Sequence, residues 1–235
     1  MSAAADGAAL PAEELVAWLR REGEARYHAN HPFHLRMHDG SLSFEELRRW
    51  VVNRYYYQTR IPIKDALILS KSEDPAFRRA WIRRVIDHDG TETDPGEAGI
   101  ALWERLGQAF GVPAHELHDH RHVHPGVRFA CDGYVSLVRE GSLLEAVASS
   151  LTEFFAPDLM AARIEAWQRH YPFIDADAMA YFRARLPRAR RDSSEAIDFV
   201  VGRATTLEKQ RACVAALVRK TEVLWHMLDC IEAPR

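Results

Sequence analysis

Helical periodicity runs along almost the whole chain, and no run of alternating β-branched residues bounded by turns competes with it. Several of the predicted helices begin at proline, which lacks a backbone N–H and therefore fits the first helical turn. The predicted segments cover residues 11–27, 44–71, 75–90, 95–110, 125–139, 143–155, 157–170, 175–186, 191–203 and 206–231. The pattern therefore predicts an all-α fold, a compact bundle of seven or more helices.

Size and composition favour a single domain of residues 11–235, preceded by a disordered tail of residues 1–10. The chain has 235 residues, 47% of them hydrophobic, and no linker, repeat or change in composition divides it. Its net charge of −3 argues against general binding to nucleic acid or membrane surfaces, and no apolar run is long enough to span a membrane. Three widely spaced cysteines are typical of a reduced protein, so we expect a cytoplasmic location.

The segment 53–65, NRYYYQTRIPIKD, combines features of a polar pocket wall. On a helix, three consecutive tyrosines point in directions about 100° apart, so they cannot all fill one core stripe. Arg54 and Gln58 stand one turn apart on one face, and Pro62 is expected to kink or end the helix just before Lys64. A solvated face with ordinary aromatic packing is the alternative interpretation.

A lysine lies within or beside the apolar stripe of the last predicted helix. Positions 214, 217, 221, 224 and 228 repeat at spacings of three and four, which indicates a buried face, and Lys220 belongs to the same region. Lysine is almost never fully buried without a partner. Two interpretations are open: the side chain extends outward along its methylenes, or its ammonium group points into an internal cavity towards an anionic ligand.

Two further pairs share the i, i+4 spacing that places both side chains on one helix face: Arg84 with His88, and Tyr181 with Arg185. His88 is flanked by two aspartates at a helix end. A nearby carboxylate would raise the pKa of His88 and give a general base near neutral pH. The alternative is a C-terminal histidine whose only role is a favourable interaction with the helix dipole.

Other polar residues stand among apolar neighbours and are candidates for the same pocket. Glu153 lies in the segment SSLTEFFAP, and a buried carboxylate there is either paired with a cation or raised in pKa. Tyr27 and His28 stand at a helix end, and Tyr134 lies in an otherwise apolar helix. We therefore expect these four residues to contribute polar groups to the pocket.

Histidines are concentrated in two places, and neither predicts a metal site. The segment HELHDHRHVH, residues 115–124, lacks the i, i+4 helical geometry of zinc ligands, so adventitious binding of Ni²⁺ or Zn²⁺ is the expected behaviour. His31, His34 and His38 could line one helix face, but no carboxylate accompanies them. The sequence therefore predicts a pocket without a metal ion.

Seven motifs, in order along the chain, resemble those of the TenA/PqqC family, and in particular its pyrroloquinoline quinone synthase (PqqC) branch. The resemblance runs from about residue 12 to residue 231, and so many motifs in one order argue against a chance match. The motifs are YHANHPFHLRMHDG at 27–40, NRYYYQTRIPIKD at 53–65, RVIDHDG at 84–90, RHVHPGVRFACDGY at 121–134, SSLTEFFAP at 149–157, HYPFI at 170–174 and YFRARL at 181–186.

The resemblance implies a heme-oxygenase-like fold, a homodimer and the final step of pyrroloquinoline quinone biosynthesis. In that step O₂ oxidises a bicyclic precursor by eight electrons with ring closure and release of H₂O₂, and neither a metal nor an organic cofactor takes part. A carrier protein of the same pathway is a further possible partner. By matching positions, the implied catalytic residues are His88, Tyr181, Arg185, Glu153 and His28, and the implied substrate-binding residues are Tyr27, Arg54, Gln58, Lys64, Arg84, Tyr134, Arg163 and Lys220.

The implied chemistry accounts for these residue types. Several substrate carboxylates require paired cations and charge-assisted hydrogen bonds. Oxidation without a cofactor requires a base to remove carbon-bound protons, and we assign that role to His88, with Tyr181 and Arg185 beside the oxygen. Met160 stands where some relatives carry a histidine, and a thioether cannot transfer protons.

Three other activities compete with this interpretation. A di-iron oxygenase of the same fold would need a glutamate seven residues before His88 and a carboxylate at position 185, where this chain has Trp81 and Arg185. A thiaminase-like hydrolase would need a nucleophilic cysteine, and Cys131 is the only one near a pocket motif. A non-catalytic protein that binds or delivers the quinone could use the same cationic pocket.

Overall fold

Residues 8–233 are described by a computed structural model, in which they form eleven α-helices and two short 3₁₀ turns. Within this range no strand forms, and the only β-type pairing is an isolated bridge between Thr91 and Asp94. The predicted all-α bundle is therefore confirmed. The helices are α1 Ala12–Glu24, α2 Pro32–Asp39, α3 Phe44–Ser70, α4 Pro75–Asp89, α5 Gly99–Ala109, α6 Ala114–His118, α7 Pro125–Glu140, α8 Leu143–Ser149, α9 Ala156–His170, α10 Ala180–Arg203 and α11 Leu207–Glu232, and the 3₁₀ turns are His28–Asn30 and Ser150–Phe154.

Helix α3 is 27 residues long and packs against α4, α5 and α7. The predicted helix of residues 44–71 is confirmed, because α3 passes through Pro62 and continues to Ser70. Of the two effects expected of Pro62, an end of the helix before Lys64 is therefore excluded. A proline inside a helix costs roughly 3 kcal/mol, since one backbone hydrogen bond is lost. Burial of apolar side chains on both sides of the proline, such as Ile61 and Ile68, offsets that cost.

Helix α10 joins two predicted segments into one helix of 24 residues that continues through Pro187. The expected break between residues 186 and 191 is therefore wrong, as is the expected start at residue 175. One face of the helix is buried before and after the proline, with Phe182 and Val200 fully inaccessible to solvent. Tertiary packing of that face stabilises the helix more than the proline destabilises it.

Other predicted helices are shorter or divided in the structure. Helix α5 begins at Gly99 rather than at residue 95. Helix α4 ends just before Gly90, whose φ of +81° favours glycine, and residues 91–94 form a turn closed by the Thr91–Asp94 bridge. The predicted helix 143–155 becomes α8 followed by a 3₁₀ turn. These differences lie at helix ends, where backbone groups lack intrahelical partners and sequence signals are weakest.

Aromatic rings fill the centre of the bundle. The ring centroid of Trp50 on α3 lies 5.4 Å from that of Trp103 and 5.9 Å from that of Trp167. Phe182 on α10 lies 5.1 Å from Trp167, and all four side chains are at most 1% exposed. This core connects α3, α5, α9 and α10, and three of these helices, α3, α9 and α10, carry residues of the polar site described below.

Most of the predicted N-terminal tail lies outside the described residues. Near the start of the described range, the backbone of Leu10 exchanges two hydrogen bonds with the Gln210 side chain on α11, with distances of 2.8 and 2.9 Å. Across residues 8–233, none of the helices combines the length and the apolar character that crossing a membrane requires.

Replacement of Ser43 by alanine should lower the free energy of unfolding by about 1 kcal/mol. The Ser43 hydroxyl accepts the Glu46 N–H at the start of α3, and the Glu46 carboxylate accepts the Ser43 N–H, so the substitution breaks a capping box. Urea unfolding would measure the change. Ser193→Ala, in the interior of α10, is the matched control and should be neutral or slightly stabilising; equal losses in the two variants would contradict the capping argument.

Candidate active site

A small cavity of about 40 Å³ lies where α3, α4, α9, α10 and α11 meet the two 3₁₀ turns. Both polar and apolar side chains border it. The lining residues are Tyr27, His28, Arg54, Tyr57, Gln58, Ile61, His88, Thr152, Glu153, Ala156, Met160, Tyr181, Arg185 and Leu224.

The structure brings the thirteen predicted site residues together in two layers. Eight of them line the cavity: Tyr27, His28, Arg54, Gln58, His88, Glu153, Tyr181 and Arg185. The other five form a second layer that is buried and does not line the cavity: Lys64, Arg84, Tyr134, Arg163 and Lys220.

His88 is a neutral imidazole with a defined tautomer. Its Nδ1 lies 3.1 Å from the carbonyl oxygen of Arg84, and because a carbonyl only accepts, Nδ1 carries the proton. No donor from the described residues bonds Nε2, which is therefore free to accept a proton. Burial, together with the charges of Arg185 and Lys64, lowers the pKa of His88 to about 3.

The predicted increase in the pKa of His88 is therefore wrong. The prediction relied on the neighbouring aspartates of α4. Asp87 instead pairs with two arginines of α10, at 3.4 Å from Arg188 and 2.5 Å from Arg191. The nearest charges that act strongly on His88 are cationic, and they favour the neutral ring.

Two contacts hold α10 against the opposite wall of the cavity. The Tyr181 hydroxyl donates to Gln58 Oε1 at 2.8 Å, which fixes the orientation of the amide. Arg185 donates to Glu153 Oε2 at 2.5 Å, so Glu153 is paired with a cation, one of the two outcomes predicted for it. Burial raises the pKa of Tyr181, which keeps its hydroxyl protonated and able to donate.

Asp192 joins the cations on the α10 side, and sequence reasoning missed it. Its carboxylate lies 3.6 Å from Arg185, 3.9 Å from Arg84 and 2.8 Å from Arg191. These charges and hydrogen bonds hold the pKa of Asp192 below its ordinary value despite burial. The residue stands two turns after Arg185, a relation hidden by the predicted break at Pro187.

Asp65 plays the same part on the α3 side. The Lys64 ammonium donates to its carboxylate at 2.7 Å and to the Ser150 hydroxyl at 3.1 Å. The Trp81 indole N–H donates to the same carboxylate oxygen at 2.9 Å, and the Arg84 guanidinium lies 3.9 Å from the centre of the Trp81 ring. Lys64 is therefore fixed from two directions and remains charged, since the pKa of Lys64 is raised by Asp65.

Lys220 is buried, and the interpretation that it extends outward is wrong. Its Nζ lies 3.5 Å from the ring centre of Tyr134 and 4.2 Å from that of Tyr57, and only 1% of the residue is exposed. Nζ has no hydrogen-bond partner among the described residues. Burial and the nearby Arg54 charge lower the pKa of Lys220 well below its ordinary value.

Only one tyrosine of the consecutive three borders the cavity. The Tyr57 ring lies 4.0 Å from the guanidinium of Arg54, whereas the hydroxyls of Tyr55 and Tyr56 donate to Glu104 and Asp132 on other helices. Tyr57 was not among the predicted site residues. The position of Tyr57 could have been found from the helical period, because Tyr57 follows Arg54 by nearly one turn and therefore lies near the same helix face.

Three site cations lack a carboxylate partner within residues 8–233: Arg54, Arg163 and Lys220. Arg163 is 2% exposed, and burial and Arg54 lower its pKa to about 9. Lys64, Arg84 and Arg185, by contrast, each pair with an aspartate or a glutamate. Arg54 is half-buried, whereas Arg163 and Lys220 are buried. A buried cation without an anionic partner is energetically unfavourable, so this side of the site is suited to bind an anionic molecule.

The donor set argues against a metal centre or a cysteine nucleophile. Within residues 8–233, no group of three or more His, Cys, Asp or Glu side chains is arranged to hold a metal ion. Trp81 and Arg185 occupy the positions where a di-iron site would need carboxylates, and a guanidinium repels a metal cation. Burial raises the pKa of Cys131 to about 12, so its thiol is not activated.

Comparison with known proteins identifies the family of this chain. A model described as the TENA/THI-4/PQQC family matches residues 18–230. A pyrroloquinoline-quinone synthase of Rhizobium rhizogenes is 50% identical over 219 residues, which are 93% of this chain and 88% of the relative. One of Cronobacter sakazakii is 44% identical over 222 residues, 94% of this chain and 87% of the relative. The chain belongs to the TENA/THI-4/PQQC family.

Solved structures agree on the fold at much lower identity. A domain with a heme oxygenase-like fold from Shewanella denitrificans has a TM-score of 0.74 at 13% identity, covering 94% of this chain and 92% of that one. A TenA homolog from Pseudomonas syringae has a TM-score of 0.72 at 18% identity, covering 97% and 99%. The expected heme-oxygenase-like fold is confirmed.

Replacement of Asp192 by alanine should lower the free energy of unfolding by about 3–5 kcal/mol, because it leaves buried Arg84 and Arg185 without a shared carboxylate. Urea unfolding measures the loss. Asp198→Ala, an exposed position on the same helix, should change stability by no more than about 0.5 kcal/mol. A loss below about 1 kcal/mol for Asp192→Ala would mean that the carboxylate does not support the site cations.

Proposed function

We propose that the protein is a cofactor-independent oxidase that forms pyrroloquinoline quinone. It closes the last ring and removes eight electrons from a bicyclic precursor, with O₂ as the acceptor and H₂O₂ as a product. The carrying observation is that a cavity lined by Arg54 and the neutral His88 has two buried cations near it, Arg163 and Lys220, which have no carboxylate partner among the described residues. The name shared by the relatives at 44–50% identity supports the same reaction.

Substrate carboxylates are the anions that this site would accept. Arg54 lines the cavity, so a carboxylate that enters it gains charge-assisted hydrogen bonds from the guanidinium. Lys220 does not line the cavity, but its Nζ lies 4.2 Å from the centre of the Tyr57 ring, which does. Gln58 presents its amide N–H groups, because its oxygen already accepts from Tyr181. Binding of the precursor would therefore satisfy donors and charges that the protein leaves without anionic partners.

His88 is the base in this proposal. Its Nε2 removes a carbon-bound proton, which leaves the substrate electron-rich enough to reduce O₂. Arg185 then donates hydrogen bonds to the enolate-like oxygens or to reduced oxygen. Tyr181 can join it only when its single hydroxyl proton turns from Gln58 Oε1 to the ligand. Glu153 holds Arg185 in place, and His28, which is also neutral, is a second acceptor on the opposite wall.

Met160 distinguishes this site from one with a further proton carrier. The side chain lines the cavity on α9, and a thioether neither donates nor accepts a transferable proton. Proton transfer in the proposed reaction therefore uses other groups that line the cavity, such as His88, His28, Tyr181 or Glu153, or water. Protons needed to convert reduced oxygen to H₂O₂ would come through the same groups.

We also propose that the protein acts without a metal or organic cofactor. We propose that it is a cytoplasmic homodimer. Its precursor is a small molecule, and a carrier protein of the same pathway is a candidate delivery partner. The absence of a suitable metal donor set among residues 8–233 supports the first point. Iron analysis of the active protein tests it, since about two irons per chain with iron-dependent turnover would favour the di-iron alternative.

The proposed reaction is tested by a single turnover of purified protein with the bicyclic precursor and O₂. Appearance of the quinone absorbance with consumption of O₂ and formation of H₂O₂ is the expected result. A protein that only binds or delivers the quinone would take up added pyrroloquinoline quinone, yet it would form none from the precursor. That outcome would replace the oxidase with the non-catalytic alternative.

His88→Asn should slow turnover by roughly 10²–10⁴ while leaving ligand affinity within a few-fold of the wild type. The asparagine amide can still donate to the Arg84 carbonyl, but it offers no basic nitrogen. Stopped-flow absorbance measures turnover, and titration with pyrroloquinoline quinone measures affinity. His226→Asn, on the exposed surface of α11, is the control; unchanged turnover in His88→Asn would remove His88 from the role of base.

Anion binding should raise the pKa of His88, because substrate carboxylates offset the positive charges of Arg185 and Lys64 that lower it. Protonated His88 cannot act as a base, so activity falls as the pH drops through its pKa. The acid limb of kcat, which reports the complex, should therefore lie at higher pH than that of kcat/KM, which reports the free enzyme. The pKa of His88 in the free protein is about 3, so between about pH 4 and pH 8 we expect an acid limb of His88 in kcat and none in kcat/KM. Initial rates of O₂ uptake, corrected for the titration of the substrate, measure both; coincident limbs would contradict the electrostatic argument.

A further inference from the structure

His34 is one of the histidines that the predicted pocket did not include, and both of its ring nitrogens are bonded. It lies on α2 with 1% of the residue exposed. Nδ1 is 2.9 Å from the carbonyl oxygen of His28, and Nε2 is 3.1 Å from a terminal guanidinium nitrogen of Arg163. His34 therefore connects a residue that lines the cavity with a cation directly behind it.

The two partners fix the chemical state of the His34 ring. The carbonyl of His28 can only accept, so Nδ1 carries a proton, and the guanidinium of Arg163 can only donate, so Nε2 carries none. An imidazolium would turn an N–H towards the guanidinium and break that hydrogen bond. Of the three states of a histidine ring, only the neutral Nδ1–H tautomer satisfies both neighbours.

Arg163 depends on this contact more than the other site arginines depend on theirs. Its only side-chain hydrogen bond to a described residue is the one to His34, and its Nε is buried without a partner. The aromatic rings of Trp50 and Phe182 lie at 4.9 and 5.5 Å, and they support the guanidinium without fixing its rotation. Without His34, no group on α2 would hold the Arg163 charge beside His28.

We propose that His34 is a positioning residue of the active site: it fixes Arg163 through Nε2 and the backbone of the 3₁₀ turn at His28 through Nδ1–H. That this site is an active site rests on the proposed function, whereas the two hydrogen bonds of His34 do not depend on it. The competing explanation is that His34 is an aromatic filler between the rings of His28, at 4.9 Å, and His38, at 6.2 Å. A filler needs only the shape of the ring, whereas positioning needs both nitrogens.

Substitutions at position 34 separate these two explanations. His34→Phe keeps a ring and removes both hydrogen bonds, and we expect kcat/KM to fall roughly tenfold to a hundredfold, the value of a hydrogen bond to a charged group. His34→Gln can place an acceptor near the former Nε2, and we expect it to recover much of the loss in KM. His38→Phe, which removes a nitrogen without a described partner, is the matched control and should stay within about twofold of the wild type.

A double-mutant cycle assigns the effect to the pair. If His34 acts through Arg163, His34→Phe should cost less than about threefold once Arg163 has been replaced by methionine, because the contact is already absent. Losses that multiply in the double variant would overturn the proposal, and so would a His34→Phe variant with wild-type kcat and KM. If His34→Phe does not fold, the same cycle with His34→Gln and His34→Asn decides between positioning and filling.

Nitrogen-15 NMR of the imidazole rings in the wild-type full chain gives a readout that does not need turnover. We expect His34 as the neutral Nδ1–H tautomer throughout the range from about pH 5 to pH 8, and an Nε2–H tautomer or an imidazolium there would overturn the proposal. Should the wild type form no product from the precursor, the proposed function fails, and positioning is then judged from this spectrum and from the affinity of each variant for pyrroloquinoline quinone.

Discussion

Buried positive charge is the constraint on which the rest of this structure depends. Burial of an arginine or a lysine without a partner is energetically costly, so each buried cation near the cavity needs a neighbouring group that stabilises its charge. Asp192 pairs with Arg84 and Arg185. Asp65 pairs with Lys64 and also accepts a hydrogen bond from the Trp81 indole. Aromatic faces support the cations without carboxylates: the Tyr57 ring contacts Arg54 and Lys220, and the Trp50 ring contacts Arg163.

Two long helices that pass through proline supply this arrangement. Helix α3 carries Arg54 and Gln58 before its proline and Lys64 after it, and α10 carries Arg185 before its proline and Asp192 after it. An interruption at either proline would separate groups that belong to one network. The cost of an internal proline is met by the packing of the buried helix face, so the continuity of each helix is a tertiary effect rather than a local preference.

The sequence predicted the parts of the structure that depend on local spacing. Helical periodicity gave the fold class, and the spacing of Tyr181 and Arg185 gave one face of the site. It did not predict contacts between distant segments: Asp192 was hidden by the assumed break in α10, and the pKa of His88 was expected to rise. The pKa of His88 is lowered first by burial and then by Arg185 and Lys64, which lie on two other helices. Asp87, which flanks His88 in the sequence, pairs with Arg188 and Arg191 instead. The charges that act on the His88 ring therefore depend on contacts between helices, which local spacing does not predict.

The division between paired and unpaired cations explains how one pocket can both fold and bind. Lys64 and Arg185 keep a carboxylate of the protein in the folded chain, so their charges are stabilised before any ligand arrives. Arg54, Arg163 and Lys220 keep none among the described residues, so their charges gain most from an external anion. A molecule with one carboxylate could neutralise the charge of only one of these three cations. A compact precursor with several carboxylates matches the group as a whole, and its charge would also relieve the electrostatic effect that keeps the base weak.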